Sequence, residues 1–399
     1  IIKLSDVMKR IVFIILVILL ISITFAFGIN MKKSHFSKDV IINSKKDYRL
    51  TYGKLAYVSD YVEIENGYLV DKKIKYDKLG DIKVKYEVLD NKKNKKEMSI
   101  TIKVVDDIPP VTMLRNELTI EKNTVTDLSS KLICADNYDK NPECNIVGDY
   151  DLTTPGKYIL TYVLKDSSNN ISSIDFTLNV INKNSISKST ETSFKEVLQK
   201  HKNDKTMVGI DVSKWQGTID WEKVKNAGVE FAMIRVGAQN GFGSDNYLDK
   251  EFISNIENAL KNDIQVGLYF YSYATTKDEA ISQAKWVLNE IKDYKITLPI
   301  VFDWESWSKF NNLGISLFDL TSVQEEFLKV IEDAGYVGAR YGSKNYLTNM
   351  WLDSEYKTWL AHYTDNTNYE GKYFMWQLCN NGIIDGINGY VDIDVMYIN

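Results

Sequence analysis

The chain has 399 residues, 44% of them hydrophobic, and a formal net charge of −5. Its length suggests about two to four domains with packed cores. Residues 207–399 carry 16 Lys+Arg against 27 Asp+Glu, a net of −11, while residues 1–206 carry 33 against 27, a net of +6. The acidic C-terminal half excludes nucleic acid as its partner, because phosphate neutralisation needs clustered Lys and Arg. The excess base of the N-terminal half reads as solvated lysines on strand edges.

Residues 1–10 read as a short cytoplasmic N-terminus. Residues 11–29 form an apolar run interrupted only by Ser22, Thr24 and Gly28. As a helix it spans about 28 Å, close to the hydrocarbon thickness of a bilayer. Two readings are open: a signal anchor, or a signal peptide cut after Ala26-Phe27-Gly28. The length of the run favours the anchor, which makes the chain single-pass at the cell membrane. Both place the rest of the chain outside the cytoplasm, and cleavage makes it secreted. Residues 30–44 read as a linker.

Residues 45–107 and 108–182 are two copies of one repeat, offset by 76 positions. Gly80 matches Gly156, Tyr86 matches Tyr162, Asp90 matches Asp166 and Val104 matches Val180. Each copy has an alternating strand, a polar turn and a second alternating strand, which predicts small antiparallel sandwiches. Together they resemble the bacterial immunoglobulin-like modules of surface proteins, which implies a spacer or a wall-binding stalk. Cys134 and Cys144 are spaced to close a hairpin disulfide in an oxidising compartment, and Cys379 is left over. Residues 183–206 are polar and read as a linker, with a short helix near 193–202.

From residue 207 strands alternate with helices. Eight strands are predicted, at 208–212, 231–236, 265–273, 300–304, 337–341, 358–363, 374–378 and 391–397. Helical spacing of apolar residues marks 247–262, 277–293 and 322–334. The pattern predicts an α/β barrel with a strand-rich final third, preceded by all-β modules.

The fourth strand ends in Asp303-Trp304-Glu305. Residues i and i+2 of a strand share a face, with α-carbons about 6.6 Å apart. Two carboxyls that close do not both ionise freely, and a protonated acid beside an ionised one is what glycosidic cleavage requires. Asp211 ends the first strand and Asp392 lies in the last. The first and last strands of a closed barrel are neighbours, so these acids converge with the other two.

The segment Gly209-Ile210-Asp211-Val212-Ser213-Lys214-Trp215-Gln216-Gly217 resembles the opening signature of glycoside hydrolase family 25, the Chalaropsis-type lysozymes. So do Phe231-Ala232-Met233-Ile234-Arg235, Tyr269 to Ala274, Leu298 to Glu305, Gly338 to Tyr341, Trp359 to Tyr363, Trp376-Gln377 and Val391 to Asp394. The resemblance runs through residues 207–399. It implies a flattened β/α barrel that hydrolyses the β-1,4 bond between N-acetylmuramic acid and N-acetylglucosamine of peptidoglycan glycan strands. It implies Glu305 as general acid, Asp303 as stabiliser of the sugar cation or as nucleophile, and Asp211 and Asp392 as supports. Asp394 shares a strand face with Asp392. Expected sugar contacts are Tyr271, Tyr273, Tyr341, Trp376, Gln377, Arg235 and His362, with Trp304 facing away. Some relatives have His where Phe270 stands. No cofactor, metal or protein partner is expected. The competing reading is a barrel that binds peptidoglycan without cutting it.

Overall fold

A computed structural model describes residues 36–45, 47–183 and 190–398. The apolar run at 11–29 lies outside them. Among the described residues no helix is long and apolar enough to cross a membrane.

Two compact units divide the chain after residue 105, with residues 51–54 joining the second. The first holds one copy of the repeat. Its long strands Gly80–Asp90 and Lys95–Val105 form an antiparallel hairpin at the centre of a four-stranded sheet. Tyr86, Val88, Ile102 and Val104 are buried, and the lysines between them are exposed. The Asp90 carboxylate closes the hairpin turn by accepting the Lys92 and Asn94 N–H groups and the Asn94 side chain.

The second unit holds the other copy and the barrel. Strands Gly156–Lys165 and Ile171–Ile181 repeat the hairpin, and Asp166 repeats the turn by accepting the Asn170 backbone and side-chain N–H groups. The expected two-sheet sandwich is here a single four-stranded sheet. Its apolar face packs on Leu128 and Leu132 of a covering segment, which the Cys134–Cys144 disulfide fastens to the edge strand Glu143–Val147. Asn311 of the barrel domain accepts the Cys134 N–H and donates to the Leu132 carbonyl.

The barrel strands are β1 (Thr206–Val212), β2 (Phe231–Gln239), β3 (Gln265–Tyr271), β4 (Ile300–Asp303), β5 (Gly338–Ser343), β6 (Lys357–Ala361), β7 (Met375–Ile383) and β8 (Val391–Tyr397). All eight stand where the sequence pattern places them. Strands β1 to β7 pair in parallel, and β8 runs antiparallel to both β7 and β1, closing the ring. Helices α1 (Trp221–Asn226), α2 (Phe252–Lys261), α3 (Lys277–Ile291) and α4 (Leu317–Asp333) are among those that connect them. Thr276 and Ser316 start α3 and α4 with capping boxes. The start of the predicted helix at 247–262 is instead a short strand, Asn246–Leu248, paired to β2.

The predicted linker 183–206 needs correction at its end. Thr192–Ser193 pairs with β7, and Phe194 and Val197 of the following helix are buried in the barrel's outer core. The barrel domain therefore begins near residue 190. The period-2 pattern of each strand sorts its side chains into two layers. Met207, Phe231, Met233, Tyr269, Val301, Tyr341, Trp359 and Met375 fill the inside. Ile210, Ile234, Phe270, Phe302, Leu360 and Trp376 face the helices.

Gly209 belongs to the inner layer, and a Cβ there would lie 2.4 Å from the Phe231 carbonyl oxygen and 2.6 Å from its ring. Gly209→Ala is therefore expected to cost about 1–3 kcal/mol, because backbone cannot step aside as a flexible side chain can. The expected readout is a lower urea midpoint at unchanged slope.

Candidate active site

The inner layer changes character toward one end of the barrel. Asp211 on β1, Asp303 on β4, and Asp392 and Asp394 on β8 all occupy inner positions. Asp392 lies directly across from Asp211, and Asp394 across from both Gly209 and Gln377. The reversed direction of β8 makes this possible, because its beginning meets the carboxyl ends of its neighbours. Glu305 lies two residues past Asp303, beyond the last residue of β4, and its side chain is exposed.

Few donors reach these acids. Gln377 donates to Asp211 at 2.8 Å, and its amide oxygen accepts from Tyr341 at 2.9 Å and Tyr363 at 3.2 Å. The Trp359 indole donates to Asp394 at 2.8 Å. One oxygen each of Asp303 and Asp394 is buried with no hydrogen-bond partner among the described residues. Burial pushes the Asp211, Asp303 and Asp394 carboxyls well above the usual range, and neighbouring carboxylates add to it. Burial, followed by the Asp211 charge, raises Asp392 to about 9. Glu305 reaches solvent, yet the protein atoms around its carboxyl still strip enough hydration to raise it, while its hydrogen bond with Asp303 lowers it. The charge on Glu305 thus opposes ionisation of Asp303. Because Glu305 opens to solvent, it is the member of the pair that can pass a proton to a ligand.

Arg235 adds the one inner cation on β2. Its Nε donates to Asp249 at 2.7 Å, and Nη2 lies 2.6 Å from the same oxygen. Asp249 also accepts the Lys214 backbone N–H at 3.0 Å. This ties Arg235 to the loop carrying Trp215. The Arg235 charge favours the ionised form of Asp303.

The acids open into a cleft of about 240 Å³. Of the expected residues, Asp211, Asp303, Glu305, Asp392, Arg235, Tyr271, Tyr341 and Gln377 line it. Three expected sugar contacts do not. Trp376 alternates with Gln377, so it points into the helix layer, where it donates to the His362 carbonyl and meets the His201 ring. His362 sits past the end of β6 and contacts Thr367. Tyr273 packs its ring against Tyr271 and Phe242. Phe270 is wholly buried against Phe327 and Trp286, so the identity of that residue does not touch the cleft. Trp304 faces away as expected, among Trp307, Phe310 and Trp351.

Trp215, Tyr363 and Trp359 line the cleft but were not singled out as contacts from the sequence. Trp215 is 76% exposed, an unusual position for an indole, and Lys214 lies over its ring. Strand parity identifies Trp359, two residues before Ala361 on one face. Trp215 and Tyr363 sit on loops and carry no such signal. Cys379 is a buried thiol raised to about 11, too high for a nucleophile.

Residues 210–387 match the family model for glycosyl hydrolases family 25. The uncharacterized protein YegX of Escherichia coli (strain K12) is 30% identical over 204 residues, covering 48% of this chain and 69% of that protein. This chain belongs to glycosyl hydrolase family 25. The family match contains Asp211, Asp303 and Glu305, and Asp392 and Asp394 follow its end. Lysozyme M1 of Streptomyces globisporus is 30% identical over 208 residues, covering 46% of this chain and 65% of that protein. A solved family 25 glycosyl hydrolase from Bacillus anthracis is 24% identical and covers 50% of this chain and 92% of its own, with a TM-score of 0.43. As a member of family 25, the protein is a glycoside hydrolase.

The raised Asp392 carboxyl has a consequence for stability. Its folded value of about 9 lies above the unfolded value of roughly 3.9. The family 25 barrel therefore has this group's full stability below about pH 4 and loses it as pH rises toward 9. Asp392→Asn removes that loss. The variant should be more stable than wild type by at least about 1 kcal/mol at pH 8, with the difference shrinking toward pH 4.5. Urea unfolding at the two pH values measures it.

Proposed function

We propose that this family 25 enzyme cuts the β-1,4 bond between N-acetylmuramic acid and N-acetylglucosamine, with Glu305 as general acid. The protein is a peptidoglycan hydrolase of the lysozyme type. The observation that carries the assignment of roles is the adjacent Asp303 and Glu305 carboxyls, which line an aromatic-walled cleft. For the reaction the proton moves to Glu305, which solvent and ligand can reach, and the Arg235 charge favours the carboxylate this leaves on Asp303. Glu305 protonates the leaving oxygen, and Asp303 opposes the positive charge that develops at the sugar. The Asp211 charge, crowded beside them, discourages ionisation of Asp303 and so a second negative charge on the pair.

The Asp303 and Glu305 side chains interact directly in the cleft. Tyr271, Tyr341, Tyr363 and Trp215 supply the faces on which sugar rings pack.

The reading extends to where the enzyme works. The apolar run at 11–29 suits a membrane anchor, and the Cys134–Cys144 disulfide suits an oxidising compartment. We place the barrel on the wall side of the cell membrane, with the two β modules preceding it in the chain. A barrel that only binds wall has no use for the electrostatic cost of its acids.

Glu305→Gln is expected to lower kcat on purified cell walls by about 100- to 10,000-fold, with little change in KM. Wild-type digests should yield fragments with reducing-end muramic acid by mass spectrometry. Reducing-end glucosamine instead would overturn the bond assignment. Trp215→Ala is expected to raise KM several-fold, with kcat less affected, as removal of a stacking face does.

A further inference from the structure

We propose that the second β module holds a calcium-class divalent cation between Asp106, Asp136 and Asp166. One carboxylate oxygen from each lies within 4.8 Å of the other two. Ligands on opposite sides of a calcium ion, each at about 2.4 Å, stand about 4.8 Å apart, so one ion can touch all three. The acids come from three separate stretches: the strand joint, the segment after Cys134 and the hairpin turn.

Unpartnered oxygens point to a ligand independently of the crowding. Asp136 and Asn137 are almost wholly buried. Asp136 Oδ2, Asp106 Oδ2 and Asn137 Oδ1 are shielded from solvent and have no hydrogen-bond partner among the described residues. The Asn137 amide lies against the cluster, since its Nδ2 donates to Asp106 Oδ1 at 3.2 Å and to the Tyr52 carbonyl at 2.9 Å. Those two bonds turn the donor end of the amide to Asp106. A buried carboxylate oxygen left bare is costly, and a hard cation within the cluster meets those of Asp106 and Asp136.

The first module is an internal control. Its Asp90 stands at the position of Asp166 in the repeat and closes the same turn. There the carboxylate meets a further N–H donor, from Ser37 at 2.9 Å. In the second module the same position meets two more carboxylates. The donor has been replaced by groups of like charge, which only a cation or a proton reconciles.

The site has a structural consequence. The Asp136 carbonyl accepts the Leu317 N–H of α4 at 2.8 Å. The cation thus braces the segment through which the β module joins the barrel. On the other side, the disulfide at Cys134 holds the same segment.

Calcium chloride added to the metal-free full chain tests this. Scanning calorimetry should show Tm of the module-bearing unit rising by roughly 4 °C or more at 10 mM, reversed by EGTA. Titration calorimetry should show one site. Asp136→Asn and Asp166→Asn should abolish both responses, and Glu305→Gln should keep them. No Tm change and no heat up to 10 mM overturns the proposal; this arm uses the unaltered chain and so does not depend on any variant folding. Loss of binding in Glu305→Gln, or its survival in both module variants that circular dichroism shows to be folded, places the ion elsewhere and overturns it as well.

Discussion

Five carboxyl groups are forced together at one end of a closed barrel, and the rest of the catalytic domain can be understood as what makes that crowding tolerable. Covalent chain direction fixes where they stand. Strand parity puts Asp211, Asp303, Asp392 and Asp394 inside, and closure of β8 onto β1 sets Asp392 opposite Asp211. Glu305 continues the parity of β4 past its end. Burial withdraws water from most of them, so protons are retained where free carboxyls would have lost them. The donors present are too few to neutralise the group: Gln377 for Asp211 and Trp359 for Asp394. Arg235 is held by Asp249 and acts on Asp303 through its field. The domain accepts a local loss of stability, and the catalytic proton is the result.

The outer shell supplies what the mouth removes. Eight strands wrap an inner layer of aromatic and methionine side chains, and helices cover the outside with a second, larger apolar layer. Glycines 209 and 267 lie on the inner face so that Phe231 and Met233 can fill the interior below the acids. Tryptophans 304, 307 and 351 pack edge to face behind β4, which holds the Asp303–Glu305 strand end from outside. A rigid wall behind a strained site is the arrangement that preorganisation requires.

Much of this was legible in the sequence because strand parity is a strict rule. Alternation placed the eight strands, the acids and the outward Trp304. It also held the information that Trp376 and Gln377, adjacent on one strand, cannot both face a cleft. Motif resemblance had grouped them, and parity separates them. Trp215 and Tyr363 were not legible, since loops have no period that fixes a side chain's direction. The reversed β8 left no clear mark either; its residues are apolar at alternate positions in both directions. The polar stretch before the barrel looked like a linker, yet Phe194 and Val197 bury one face of a two-turn helix. Composition averaged over the segment hid them. The second repeat was expected as two sheets, and a disulfide-fastened segment takes the place of one of them.

The central claim is that the Asp303–Glu305 pair keeps a proton at neutral pH because burial and neighbouring carboxylates make a second charge costly. Carbon-13 NMR titration of carboxyl-labelled protein measures this directly. The account predicts a pair of coupled resonances that retain one proton through pH 7. In Glu305→Gln, Asp303 should ionise at lower pH than that at which the wild-type pair loses its last proton, because the neighbouring charge is gone. Independent ionisation of both groups below about pH 5, unaffected by that substitution, would contradict it.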